Sequence, residues 1–212
     1  MMKNLLTKMS LTEFNIALAS NEPAPGGGSA SAMAGAMGIG LATMVANLTV
    51  GKKKYAEFDG LMQEIIAKSA NLQRQLIEAV DRDTEAYNGV SAVFSMPRET
   101  DEEKAARAEA MQAALKSAAL VPLEVMELCD ASLALVESML GKSNTNCASD
   151  LGVAALNLGT AAMGAWMNVL INLGSIKDEA FVAKTKTGGE AIIARCEAVS
   201  WKIIEQVMAD LK

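Results

Sequence analysis

Histidine is absent from all 212 residues. That removes Ser-His-Asp and Cys-His triads, the His-based helical zinc motif and every imidazole general base. Acid–base work, if the chain does any, falls to Asp, Glu, Lys, Tyr or Cys. Cysteine is scarce: Cys129, Cys147 and Cys196 are far apart and odd in number, which fits neither a disulfide framework nor a zinc spacing and points to a reducing, cytoplasmic compartment. Aromatic residues make up only 4%, and sheets favour aromatic and β-branched side chains. Positive charge is outweighed, with 19 Lys and Arg against 25 Asp and Glu; a net charge of -6 argues against a general nucleic-acid binder. The opening MMKNLLTKMS has no long apolar run and no cleavage site, so no signal peptide is read.

What is abundant is Ala, Gly and Met, within a hydrophobic content of 51%. Small and unbranched side chains suit closely packed helices. The length is enough to bury a core without staples, and residues 1–212 are expected to form a single helical domain. Ser10-Leu11-Thr12-Glu13 is a capping box opening a short helix to about Ser20, stopped by Pro23 and Pro25. A second helix is expected over 29–50, after the glycines, and a third, very long one over 55–93, ended by Pro97. Thr100-Asp101-Glu102-Glu103 opens a fourth, in which Pro122 is expected to make a kink or a split before Gly141 ends it. Ser149-Asp150 starts a helix to about Leu173, and Ser175 with Asp178 starts the last, with Gly188-Gly189 as its weak point. No strand-like alternation and no repeat is found. The expected class is all-α, an up-and-down bundle of long helices.

Segments 29–50 and 151–175 are uncharged and long enough to span a bilayer. Both are built mainly of Ala and Gly. In the first, Ala30, Ala34, Gly38, Ala42 and Ala46 form a small-residue stripe, and Met33, Met37, Leu41, Met44 and Leu48 a bulkier one. A helix apolar all round is either buried or in a membrane. The other helices carry dense charge, as soluble shells do, which favours a buried small-residue pair whose core a partner subunit could complete.

Several residues could carry chemistry. Gly26, Gly27, Gly28 and Ser29 precede a helix start, where free N–H groups and the dipole attract anions or carbonyl oxygens; no Walker pattern follows, and a tight turn between crowded helices explains the glycines as well. Stepping the third helix by threes and fours through Leu72, Leu76, Val80, Asp83, Tyr87 and Val90 places Asp83 on the core-facing stripe, with Asp81 and Glu85 elsewhere. Such a carboxylate is paired with a cation, hydrogen-bonded, or raised in pKa. Lys52, Lys53 and Lys54 follow a helix end at Gly51, either as favourable C-terminal cations or as a patch for a ligand's carboxylates. Ser149 and Asp150 read as cap and dipole partner. Asn168 and Asn172, four apart on an uncharged helix, either bridge helices or contact a polar ligand.

The stretches PAPGGGSASA, NLTVGKKKYAEF, DRDTEAY, TDEEKAARAEAMQAALKSAALVPL, SDLGVAAL and NVLINLGSIKDEAF together resemble the cyclodeaminase/cyclohydrolase family of folate enzymes, in order from about Leu11 to about Ala183. GKKKY and TDEEKAARA are more similar to its free-standing bacterial methenyltetrahydrofolate cyclohydrolases, and no attached formiminotransferase domain is seen. The resemblance implies a soluble, cytoplasmic all-α homodimer with no membrane segment. It implies no nucleic-acid partner, no metal, and no cofactor beyond the tetrahydrofolate substrate. It also carries a catalytic carboxylate onto DRDTEAY, where the helix phase selects Asp83; Lys53 and Asp150 are the further catalytic candidates. Lys52 and Lys53 would meet the folate or its glutamate tail. Gly26, Gly27, Gly28 and Ser29 would be a platform under the ligand, with Ser149, Asn168 and Asn172 as further binding residues. The implied reaction is hydrolysis of methenyltetrahydrofolate to 10-formyltetrahydrofolate; cyclodeamination of formiminotetrahydrofolate and non-catalytic folate binding on a helical scaffold are its rivals.

Overall fold

A computed structural model describes residues 5–211. Six α-helices follow in order: α1 (Leu11–Leu18), α2 (Gly27–Asn47), α3 (Asp59–Phe94), α4 (Asp101–Ser138), α5 (Ala148–Leu173) and α6 (Glu179–Asp210). No strand occurs among the described residues. Both capping boxes form: the Ser10 hydroxyl accepts from the Glu13 N–H, and the Thr100 hydroxyl from the Glu103 N–H. Asp178 caps α6 by accepting from the Phe181 N–H.

From α2 onward each helix runs antiparallel to the next. Cross-helix bonds fix these directions: Ser29 Oγ donates to the Val80 carbonyl, and Thr43 Oγ1 to Ser69 Oγ. Bidentate Arg82–Glu124 joins α3 to α4, and Asn172 Nδ2 to the Ala118 carbonyl joins α5 to α4. α2 also lies antiparallel along α5, with Gly27 near Asn168 and Gly38 against Leu158. α6 packs on α4 and α5, with ion pairs Lys116–Asp178, Arg195–Asp130 and Lys202–Glu137 on its rim. Ile39, Val45, Met62, Ile65, Leu76, Met126, Leu133, Leu158 and Ile203 are wholly buried between the helices.

Three expectations need correction. α2 begins at Gly27, two residues early, so Gly27 and Gly28 form its first turn. Residues 53–58 form a 3-10 turn, and α3 starts only at Asp59. α4 passes through Pro122 as one helix: the Ala118 carbonyl, which lacks its Pro122 N–H donor, receives Asn172 Nδ2 at 3.1 Å. α6 runs unbroken through Gly188-Gly189, and Gly189 forms a notch for the Trp166 ring, where a Cβ would collide with Cζ3.

The two apolar helices divide their faces. Gly38, Ala42 and Ala46 of the small-residue stripe are buried, whereas Met37, Met44 and Leu48 are exposed. On α5, Val153, Leu156, Met167 and Ile171 are exposed as well. These outward stripes lie side by side, so α2 and α5 present one shared apolar face. Both helices are long and apolar enough to cross a membrane, and about half of their apolar stretches is buried inside the bundle (56% and 44%).

Candidate active site

The first turn of α2 meets α3 at an unusually close approach. A Cβ added at Gly28 would fall on the Asp83 carboxylate, and one at Gly27 would come within 3.3 Å of Asn168 Nδ2. Two bare backbone positions therefore draw Asp83 of α3 and Asn168 of α5 to one spot. Ser29 Oγ lies 3.0 Å from Asp83 Oδ2 and 3.2 Å from Thr84 Oγ1. Around them opens a cleft of about 360 Å³, lined by Pro23, Ala24, Gly26, Gly27, Gly28, Asp83, Thr84, Tyr87, Val90, Ala118, Asn168, Ile171 and Asn172.

Asp83 is half-buried and has no cationic partner among the described residues; its neighbour Arg82 is committed to Glu124. Burial pushes its carboxyl above the usual carboxylate range, while the Ser29 hydroxyl and N–H partly hold it down. Of the three states open to a carboxylate on this stripe, a buried ion pair is thus excluded; Asp83 is hydrogen-bonded and raised. Asp81, two residues back, is turned to structural work: it accepts from the Leu6 N–H at 2.6 Å and the Thr7 hydroxyl at 2.6 Å, tying down the N-terminal segment.

The remaining candidates lie elsewhere. Lys52 and Lys53 follow the far end of α2 and are exposed. A helix of 21 residues puts them about 30 Å from Gly28 in the same chain. Ser149 and Asp150 stand beside that end, in the first turn of α5. Asp150 suits the helix dipole, but neither residue caps: the N-cap is Cys147, without a side-chain bond. Gly26, Gly27, Gly28, Ser29, Asp83, Asn168 and Asn172 are therefore gathered at one end of the bundle. Lys52, Lys53, Ser149 and Asp150 share the other.

The lysine end is firmly tied. Gly51, at φ 76°, reverses the chain after α2. Tyr55 is buried, accepting from the Thr145 N–H at 3.0 Å and meeting Thr145 Oγ1 at 3.1 Å. These bonds, aided by Lys54, lower its phenol pKa to about 8. Asn144 bonds Thr49 and the Leu48 carbonyl. Sequence reasoning gave no site role to Tyr55, Thr84 or Tyr87, although Tyr87 stood on the same stripe as Asp83 and Thr84 lies next to it on α3. Among the described residues no three His, Cys, Asp or Glu side chains gather as a metal site requires, and the three cysteines are free and buried.

An all-helical bundle with a hydrogen-bonded carboxylate in a glycine-floored cleft has the form of an acid–base enzyme. The chain belongs to the formiminotransferase-cyclodeaminase family, whose sequence profile matches residues 10–191. It is 41% identical over 190 residues to a methenyltetrahydrofolate cyclohydrolase of Methylorubrum extorquens, covering 90% of this chain and 91% of that one. It is 35% identical to the rat formimidoyltransferase-cyclodeaminase over 85% of this chain and 34% of that one. The crystal structure of formiminotetrahydrofolate cyclodeaminase from Thermotoga maritima superposes with a TM-score of 0.87 at 30% identity, covering 97% of this chain and 98% of that one.

Proposed function

We infer that this chain is a methenyltetrahydrofolate cyclohydrolase, converting 5,10-methenyltetrahydrofolate and water to 10-formyltetrahydrofolate and a proton. The observation that carries the chemistry is Asp83: a raised carboxylate facing a cleft, with no cationic partner among the described residues. The substrate is a cation with one carbon bridging N5 and N10, and an unpaired carboxylate favours it. Water adds to that carbon as Asp83 takes one of its protons. The tetrahedral intermediate then collapses: the C–N5 bond breaks, Asp83 returns a proton to N5, and the hydroxyl proton leaves to solvent as the formyl C=O forms. The near full-length match to the Methylorubrum cyclohydrolase supports this reading over its rival. The rival, cyclodeamination, passes through a carbon between the same two nitrogens, and the Thermotoga likeness supports it.

We also read the enzyme as a soluble, cytoplasmic homodimer with a folate substrate and no metal. The shared apolar face of α2 and α5 supports a second copy as its cover. A two-fold axis perpendicular to α2 sets the partner's helix antiparallel, which would carry the partner's lysine end over the Asp83 cleft. This reunites the two separated sets of candidate residues and places cations near the glutamate tail. Loss of methenyltetrahydrofolate ultraviolet absorbance tests the hydrolysis, and ammonia release from 5-formiminotetrahydrofolate tests the rival. Light scattering in plain buffer tests the dimer; a monomer, or a protein extracted only by detergent, overturns it.

A further inference from the structure

Two side-chain amides in the cleft have their direction set by the fold. Asn168 Nδ2 donates to the Gly164 carbonyl at 2.8 Å. Asn172 Nδ2 donates to the Asn168 carbonyl at 2.8 Å and to the Ala118 carbonyl at 3.1 Å. Backbone carbonyls only accept, so the nitrogens face them and the oxygens face away. The Ala118 carbonyl is open to Asn172 because Pro122, four residues on, has no N–H. Among the described residues neither Oδ1 accepts a hydrogen bond, and neither is buried without a partner. Both residues line the cleft with Asp83, and no Lys or Arg among the described residues does. Beside the hydroxyls of Thr84 and Tyr87, which can donate or accept, the cleft therefore offers three groups that only accept: a carboxylate and two amide oxygens, between the apolar walls of Val90 and Ile171.

Such a lining selects a flat ligand edge that carries N–H donors. We propose that Asn168 and Asn172 are specificity-determining residues whose side-chain oxygens accept from the amino and ring N–H groups of a 2-aminopyrimidinone edge. The assignment rests on the folate reading and extends it to the atoms that read the ring. Asp83 remains at the reacting carbon, and the asparagines hold the opposite edge. Their contribution is made equally in ground state and transition state, so it shows in KM and hardly in kcat.

The experiment compares two compounds on the full-length enzyme: 5,10-methenyltetrahydrofolate and its analogue with the 2-amino group replaced by methyl. Wild type is expected to disfavour the analogue by roughly 10-fold to 100-fold in KM, as a site left with unpaired acceptors does. Asn168→Leu and Asn172→Leu each remove an acceptor, and the ratio should fall toward one, with kcat for the parent compound little changed. If Asn172→Leu fails to fold because the Ala118 carbonyl is orphaned, Asn168→Leu and the wild-type ratio still decide. A wild type that treats both compounds alike overturns the proposal. So does a ratio that survives in the folded variants, or one that only Asp83→Asn abolishes. A wild type that binds neither compound overturns the folate reading itself and this assignment with it.

Discussion

The two ends of α2 solve opposite problems. At its start, Gly27 and Gly28 let a carboxylate from another helix come against bare backbone, and among the described residues that carboxylate has no cation to answer it. At its end, Gly51 turns the chain into three exposed lysines, anchored from beneath by Tyr55 and Thr145. One end is a half-buried cleft poor in cations; the other is a rigid base carrying cations with no acid bonded to Lys52 or Lys53 among the described residues. The difference teaches that charge at a helix terminus has no single meaning: it can be stored against solvent or withheld from it.

The largest expected effect lies at the carboxylate. Asp83→Asn should lower kcat by roughly 100-fold or more while the protein stays folded. Its stability changes with pH in a defined direction. The folded carboxyl is raised above its ordinary value of 3.8, so the fold disfavours the ionised form. The destabilisation is absent below the ordinary range and grows as pH rises through the raised value. At neutral pH the variant should melt at or above the wild-type temperature, and the two should converge in acid. Wild-type activity should fall as pH drops through that raised value. A cooler-melting variant with near-normal turnover would remove Asp83 from the chemistry. Next, Gly28→Ala forces the carboxylate to move, and a rate loss on the order of 10-fold to 100-fold is expected, with folding measured alongside by circular dichroism.

At the other end the effects are smaller. Lys52→Ala or Lys53→Ala should raise KM by about fivefold, as loss of one exposed cation does, more for polyglutamylated substrate and without change in melting temperature. Unchanged kinetics in both would leave these lysines only the helix-end role. Smallest of all, Tyr55→Phe should slightly lower the melting temperature and abolish a tyrosinate absorbance titration near about 8.

Much of the fold was legible, because its signals are local. The capping boxes at Ser10 and Thr100, the cap at Asp178 and the unbroken apolar runs depend on residues a few positions apart. Pro122 does not split its helix, and the donor that serves the carbonyl it leaves open is Asn172, distant in the chain. The packing role of Gly189 was hidden for the same reason: its neighbour is Trp166. The phase of α3 found Asp83, since helical periodicity is local too. The length of α2 already parts the lysines from Gly28, but periodicity could not say that Asp83 joins the glycine end and Asp150 the lysine end, because that follows from α2 running antiparallel to both α3 and α5. A linear reading places motifs in order but does not measure the distance between them.

The first turn of α2 has one more consequence. Its N-cap, Gly26, offers no side-chain bond, and the acceptor that reaches this turn is borrowed from α3: Asp83, against Ser29. The carboxylate is thus a cap supplied by a different helix, favoured there by the positive end of the dipole. When it takes up a proton, that turn loses its anionic cap; when it gives the proton back, the cap is restored. The charge at this helix start therefore follows the charge state of Asp83, and the dipole's preference for the ionised form offsets part of the burial that opposes it.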